Sequence, residues 1–324
     1  MTRLPSILNR AAILLAILGI VSLSACSAET LTPMPESSAT RFVLDLSGSN
    51  DSLDQYERLK PLIYKELQEK SLGNPFGGNT IGPAEISLTF ILGSASQARV
   101  INLSSPTFGR TFYSDLKNVY GRSVLQIEKD WPLVLAAEKA AFEAHKISNR
   151  NSCITSSSKV MEANLGESTA SEIAKQMCER ANSIVSKIEI EIPQLISATK
   201  ANGSDIFGAL REVDNWIDSI SNEISRKSIQ VIFASDMVHW TKGQRDLFGN
   251  NGIIKNLISK EEICSIAEKQ ASASALRMQN IDVTIIGRGN TKNLTADEGE
   301  ALSIFWECFA DYSKFNLFTT TDGR

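Results

Sequence analysis

Five residues carry the chemistry that this chain most clearly offers: Asp45, Ser47 and Ser49 in RFVLDLSGSN, Ser204 in NGSDIFGAL, and Asp236 in VIFASD. The first three stand at alternate positions at the end of the apolar run Arg41–Leu46 and just beyond it. Asp236 closes a second apolar run, and Ser204 stands at the start of an amphipathic stretch. In an open α/β sheet, ligands bind outside the carboxyl ends of the strands, so the three loops have a common place to meet. Together they offer two carboxylates and three hydroxyls, all of them oxygen donors. Such a set suits a hard divalent cation; Mg²⁺ takes six oxygens at about 2.0–2.1 Å. Two carboxylates leave room for one more acidic group, which a partner protein can supply as Asp or Glu.

The same residues also suit plain structural duties. Ser49 or Asp51 can N-cap a helix beginning near residue 51, and Ser204 can cap one beginning at Asp205. Asp236 can be an ordinary turn residue before Met237. His239 lies three residues beyond Asp236 and is the base that a hydrolase would require, whether of the Ser-His-Asp kind or one assisted by metal at Asp45 and Asp236. No G-x-S-x-G elbow accompanies it, and a histidine in a polar loop is expected to be solvated. The chain is therefore read as a non-enzyme. The glycines of SLGNPFGGNTIG lack a P-loop lysine.

Strands and helices must alternate to hold such loops. Apolar strands are expected at 41–46, 85–93, 228–236 and 281–289, with a shorter one at 98–103. Helical spacing marks 51–70, with a kink expected at Pro61, and 127–147, 167–198, 201–224 and 296–315. EEICSIAEKQASASAL also reads as a helix, whereas the polar patch NRNSCITSSS is expected to separate two helices. The alternation implies an α/β fold with a doubly wound, mostly parallel sheet. Residues 104–198 form a helical insertion within a domain spanning 41–324. Trp216 and Trp306 fall at core spacing, and Trp240 stands beside the third loop. The apolar stripe Trp131, Leu135, Ala136 and Phe142 either packs on the insertion itself or makes a partner-binding arm.

Taken together, DLSGS, GSDIFGAL and VIFASD resemble the three metal-binding motifs of the von Willebrand factor type A domain, also seen in integrin inserted domains. Ser204 stands where that family usually has threonine, which keeps the hydroxyl and loses a methyl group that fixes the rotamer. The resemblance covers residues 41–103 and 199–318. It implies a doubly wound sheet with one short antiparallel edge strand, for which ARVINL is the candidate. It further implies that Ser47 and Ser49 bind Mg²⁺ (or Mn²⁺ or Ca²⁺) directly, that Asp45 and Asp236 act directly or through water, and that Ser204 makes a contact varying with ligand. The function implied is capture of an acidic residue of a partner protein. A second reading keeps the domain as a metal-free scaffold that binds partners through its helical insertion.

The N-terminus points to a cell envelope. Arg3 and Arg10 flank the start of an apolar run ending in small residues, the layout of a secretory signal over residues 1–26. Leu23-Ser24-Ala25-Cys26 resembles a bacterial lipobox, in which Cys26 is diacylated (palmitate is the usual acyl chain). Each buried methylene contributes about 0.8 kcal/mol, so two chains anchor stably. Residues 27–40, rich in Ser, Thr and Pro, are expected to be a tether. The membrane itself, inner or outer, stays open. Cys153, Cys178, Cys264 and Cys308 remain as an even set suited to an oxidising compartment, with 153–178 and 264–308 the favoured pairing. Losing Arg3 and Arg10 but no acid moves the formal charge from −4 to −6. That acidic balance argues against nucleic acid as a partner.

Overall fold

The computed structural model describes residues 37–46, 52–73, 76, 83–92, 99–147, 150–199, 203–241, 246–248, 252–254, 259–287 and 294–320. Cys26, the expected signal segment, Ser47 and Ser49 lie outside these described residues.

Eight strands are found among the described residues: β1 (Ser38–Asp45), β2 (Ala84–Ile91), β3 (Val100–Ser104), β4 (Gly203–Ser204), β5 (Ile229–Ala234), β6 (Trp240–Thr241), β7 (Asp282–Ile286) and β8 (Asn316–Thr320). Six of them form one mixed sheet in the order β3-β2-β1-β5-β7-β8, and β4 pairs with β6 in a separate short ladder. All neighbours in the large sheet are parallel except β3, which runs antiparallel to β2 at the edge. The chain thus builds outward from β1 on one side, then returns to β1 and builds outward on the other. The gap between β1 and β5 is the switch point at which such sheets open a crevice.

Alternation along β1 explains why both faces are covered. Thr40, Phe42 and Leu44 point one way, and Ala39, Arg41 and Val43 the other. Phe42 and Leu44 join a core with Tyr56, Leu59 and Ile63 of α1 (Ser52–Lys70). Thr40 Oγ1 donates to Glu66 Oε2 of the same helix at 2.7 Å. Ala39 and Val43 join a second core with Phe207 and Leu210 of α7 (Ile206–Ile220) and Phe305 and Trp306 of α9 (Ala296–Ser313). On that side the Arg41 guanidinium lies 4.1 Å from the Trp216 ring centroid. Among the described residues between β5 and β7 is helix α8 (Lys260–Ser274), opened by a Ser259/Glu262 capping box.

The described residues between 106 and 198 are mostly helical: α2 (Pro106–Asn118), α3 (Val124–Ile147), α4 (Arg150–Leu165), α5 (Glu167–Ser186), a π-helical turn (Lys187–Glu191) and α6 (Ile192–Ala198). The π turn is anchored from α1, where Tyr56 Oη donates to the Ile188 carbonyl at 2.6 Å. Trp131 and Phe142 are buried within this helical region, Trp131 edge-on to Phe76 and Tyr113. The stripe that could have been a partner-binding arm therefore faces inward at its aromatic residues.

Two expectations need correction, and one strand lies beyond them. The tether was expected to reach residue 40, but β1 begins at Ser38 and Ser37–Thr40 are buried, because the strand needs those residues to pair along β2 from Ala84. NRNSCITSSS was expected to separate two helices, but residues 150–158 belong to α4. Small residues suit it to close packing: Cys153 is bonded to Cys178 of α5, and Ser157 Oγ lies 3.8 Å from Cys178 Sγ. Helix α1 runs continuously through Pro61. β8 was not anticipated at all. The second disulfide joins Cys264 of α8 to Cys308 of α9, so both favoured pairings are present.

Candidate functional site

Register explains how the site assembles. Leu44 of β1 pairs with Ala234 of β5, so Asp45 and Ser235 leave the sheet side by side. Ser235 Oγ donates to Asp45 Oδ2 at 2.8 Å and itself accepts from the Met237 amide at 2.9 Å. Ser204 Oγ donates to the same carboxylate oxygen at 2.6 Å. Two hydroxyls on separate loops thus converge on one atom, 159 and 190 residues distant along the chain. The cluster is sealed: Asp45, Ser235 and Asp236 are each 0% exposed and Ser204 2%.

The second loop is held by backbone. Gly203 pairs with Thr241 and Ser204 with Trp240 in the β4–β6 ladder, which ties the start of α7 to the chain emerging from β5. Gly203 has φ +125, and a Cβ there would lie 2.3 Å from the Trp240 carbonyl oxygen. Glycine is therefore required for Ser204 to sit where it does. The helix cap belongs to Asp205, whose Oδ1 accepts from the Gly208 amide at 2.9 Å. Ser204 is thereby spared the capping duty open to it in the sequence, and its hydroxyl serves Asp45.

In the third loop Asp236 Oδ1 accepts from the Val238 amide at 2.9 Å, closing a tight turn on itself. Met237 takes the left-handed conformation at φ 61, and its carbonyl accepts from Trp306 Nε1 at 3.0 Å. A non-glycine residue in that region is uncommon and is worth reading as a held conformation. The turn is fixed on one side by its own carboxylate and on the other by α9.

His239 is not solvated, as a polar loop would suggest; it is 2% exposed. Its ring lies 4.7 Å from that of Phe207. Its Nδ1 is 4.0 Å from Asp205 Oδ1 and has no hydrogen-bond partner among the described residues. Burial pulls the imidazole below its ordinary pKa, against Asp205 and Asp246, which raise it, and with Arg211, which lowers it further. The unfolded chain thus binds the proton more readily than the folded one, so stability is full above the unfolded value of about 6.5 and falls as pH drops below it. The melting temperature is expected to decline between pH 7 and pH 5, and less steeply in His239→Gln. An unchanged slope in that variant would place the acid sensitivity elsewhere.

The structure therefore brings together Asp45 and Ser204, sets Asp236 next to a residue bonded to Asp45, and adds Ser235, whose part the sequence did not disclose. The only hint of Ser235 lay in its position, one residue beyond an apolar run that pairs with β1. All donors are oxygens, and a serine hydroxyl that donates to a carboxylate retains lone pairs that a cation can use. That chemistry fits a hard divalent ion and not a soft one. A different trio, His145, Cys153 and Cys178, has ligand atoms within 4.8 Å of one another. Its sulfurs are joined to each other, so neither is the thiolate that binds metal.

No family model matches the sequence, and no curated protein matches it. Among solved structures, the human COPII-coat protein Sec24c overlaps 91% of this chain at 11% identity and a TM-score of 0.38. The pilus adhesin SpaC from Lactobacillus rhamnosus GG, in its open conformation, overlaps 89% at 9% identity and a TM-score of 0.39. The overlap takes in 30% of the first protein and 28% of the second, so this chain spans less than a third of either. Overlaps this loose identify neither a family nor an activity.

Proposed function

We propose that this chain is a lipid-anchored, extracytoplasmic binding module of the von Willebrand factor A type. In this reading Asp45, Ser47, Ser49, Ser204 and Asp236 hold a divalent cation, Mg²⁺ or else Mn²⁺ or Ca²⁺. When bound, the cation supplies positive charge for an Asp or Glu side chain of a partner protein, and no bond is made or broken. The residues' own task is to gather oxygens in a buried place. The observation that carries the reading is the meeting of Ser204 and Ser235 on Asp45 at the β1/β5 switch point. The antiparallel β3 at the sheet edge agrees with it.

A hydrolase is less well supported. Its base would be His239, and that ring is packed against Phe207 out of solvent. The test is calorimetric titration of Mg²⁺ and Mn²⁺ into chelator-stripped protein, followed by an Asp-containing peptide. Saturable one-to-one uptake, with peptide binding that EDTA abolishes, is the expected result. Absence of uptake at millimolar cation would return the domain to the metal-free scaffold.

The lipid anchor carries its own test. Cys26→Ser is expected to move the protein from the membrane fraction to the soluble fraction. Retention of the variant in membranes would mean that residues 1–26 hold it there without acylation.

A further inference from the structure

Beside the candidate cation site lies a cavity of ≈ 390 Å³ bounded by Leu46, Phe90, Leu92, Arg99, Leu195 and Thr199. Its volume falls in the ordinary range for ligand pockets, about 300–1,000 Å³. Leu46 and Phe90 are buried and form its floor, while Leu92, Leu195 and Thr199 are half-buried. Arg99 is exposed and is the charged group among these six residues. Two of the lining residues adjoin the site already described. Leu46 follows Asp45 directly, and the Leu92 carbonyl accepts the amide of Asp205, the residue after Ser204, at 3.4 Å.

The wall on the far side comes from the helical region. Leu195 lies in α6, and Thr199 ends that helix with its Oγ1 donating to the Leu195 carbonyl at 2.7 Å. The 106–198 region and the strand ends therefore frame the cavity together. Four apolar side chains there favour an apolar occupant, since burying one side chain of the leucine class contributes about 1.5–3 kcal/mol. Arg99 favours an anionic neighbour to that occupant.

We propose that this cavity receives a bulky aliphatic or aromatic side chain of the same partner segment whose acidic residue the cation site takes, with a second carboxylate of that segment meeting Arg99. The proposal rests on the divalent-capture reading. It narrows the partner to an acidic segment carrying one large apolar residue at a constant distance from the captured acid. The adjacency of Leu46 to Asp45 and the hydrogen bond from Asp205 to the Leu92 carbonyl are what link the preferences.

The experiment is selection of displayed random heptapeptides on the full-length protein in detergent with Mg²⁺, followed by affinity measurement on the enriched peptides. The expected consensus pairs Asp or Glu with Leu, Ile or Phe at one spacing. Thr199→Trp, which adds bulk at a position lining the cavity, is expected to weaken the selected peptides on the order of 10- to 100-fold. Arg99→Glu, on the exposed rim, is expected to weaken them about fivefold or more and serves if Thr199→Trp does not fold. A consensus with an acid alone, undiminished by either variant, overturns the cavity proposal and leaves divalent capture standing. Enrichment of peptides that lack an acid, or that bind equally in EDTA, overturns both.

Discussion

Asp45→Asn is expected to abolish the stabilisation that Mg²⁺ gives the wild-type protein while leaving the chelator-treated protein at least as stable as before. The carboxylate is fully buried, and its Oδ2 accepts from Ser204 and Ser235. An asparagine keeps an oxygen for those hydroxyls, so neither is left without an acceptor, a loss that would otherwise cost about 1–3 kcal/mol. What disappears is the negative charge, which is costly to hold in a dry place and useful only if a cation shares it. For wild type, Mg²⁺ at about a hundredfold its dissociation constant adds about 2.7 kcal/mol, a rise of several degrees in the melting temperature. Melting curves of both proteins with Mg²⁺ and with EDTA check this directly. An equal rise in the variant would remove Asp45 from the cation site.

The second large effect concerns the helical region and stability alone. Arg180 of α5 is paired with Glu138 of α3, and its Nη2 also donates to Ser71 at 2.8 Å and to Ser104 of β3 at 2.9 Å. Its guanidinium lies 4.0 Å from the Phe108 ring of α2. One arginine thus joins three helices, the end of α1 and the edge strand. Glu138 is 3% exposed, and its Oε2 has no hydrogen-bond partner among the described residues. Arg180→Met would leave that carboxylate buried without its counter-charge, at a cost of about 3–5 kcal/mol. Glu138→Leu combined with Arg180→Met removes both charges and is expected to recover more than half of the loss. Urea denaturation of the wild type and the two variants decides it. A single variant costing under about 1 kcal/mol would mean that the pair is not what holds the helices to the sheet.

Much of the sheet was legible because central parallel strands are apolar on both faces. RFVLD, ISLTFI, IQVIFA and DVTII each stand out against their flanks, and all four are strands. β8 escaped notice because an edge strand has one face to cover: Asn316 and the threonines of NLFTT give little apolar contrast. α4 was hidden for a related reason. Along most of its buried face stand Cys153, Ser157 and Met161, small or adaptable residues that give little apolar contrast. In the site, the motif residues could be read from type and spacing. The division of labour between Ser204 and Asp205 could not, because both suit a helix cap and only the β4–β6 ladder decides which one turns toward Asp45. The burial of His239 likewise depends on Phe207, 32 residues earlier in the chain, which no local pattern discloses.

The most direct test of the account is the anomalous difference map of a crystal of the protein grown with Mn²⁺. A single strong peak within coordination reach of the Ser204 hydroxyl, with Asp45 and Asp236 in direct or one-water contact, is the expected result. A well-ordered site with no peak there at saturating Mn²⁺, or a peak bound only by residues elsewhere, would contradict it.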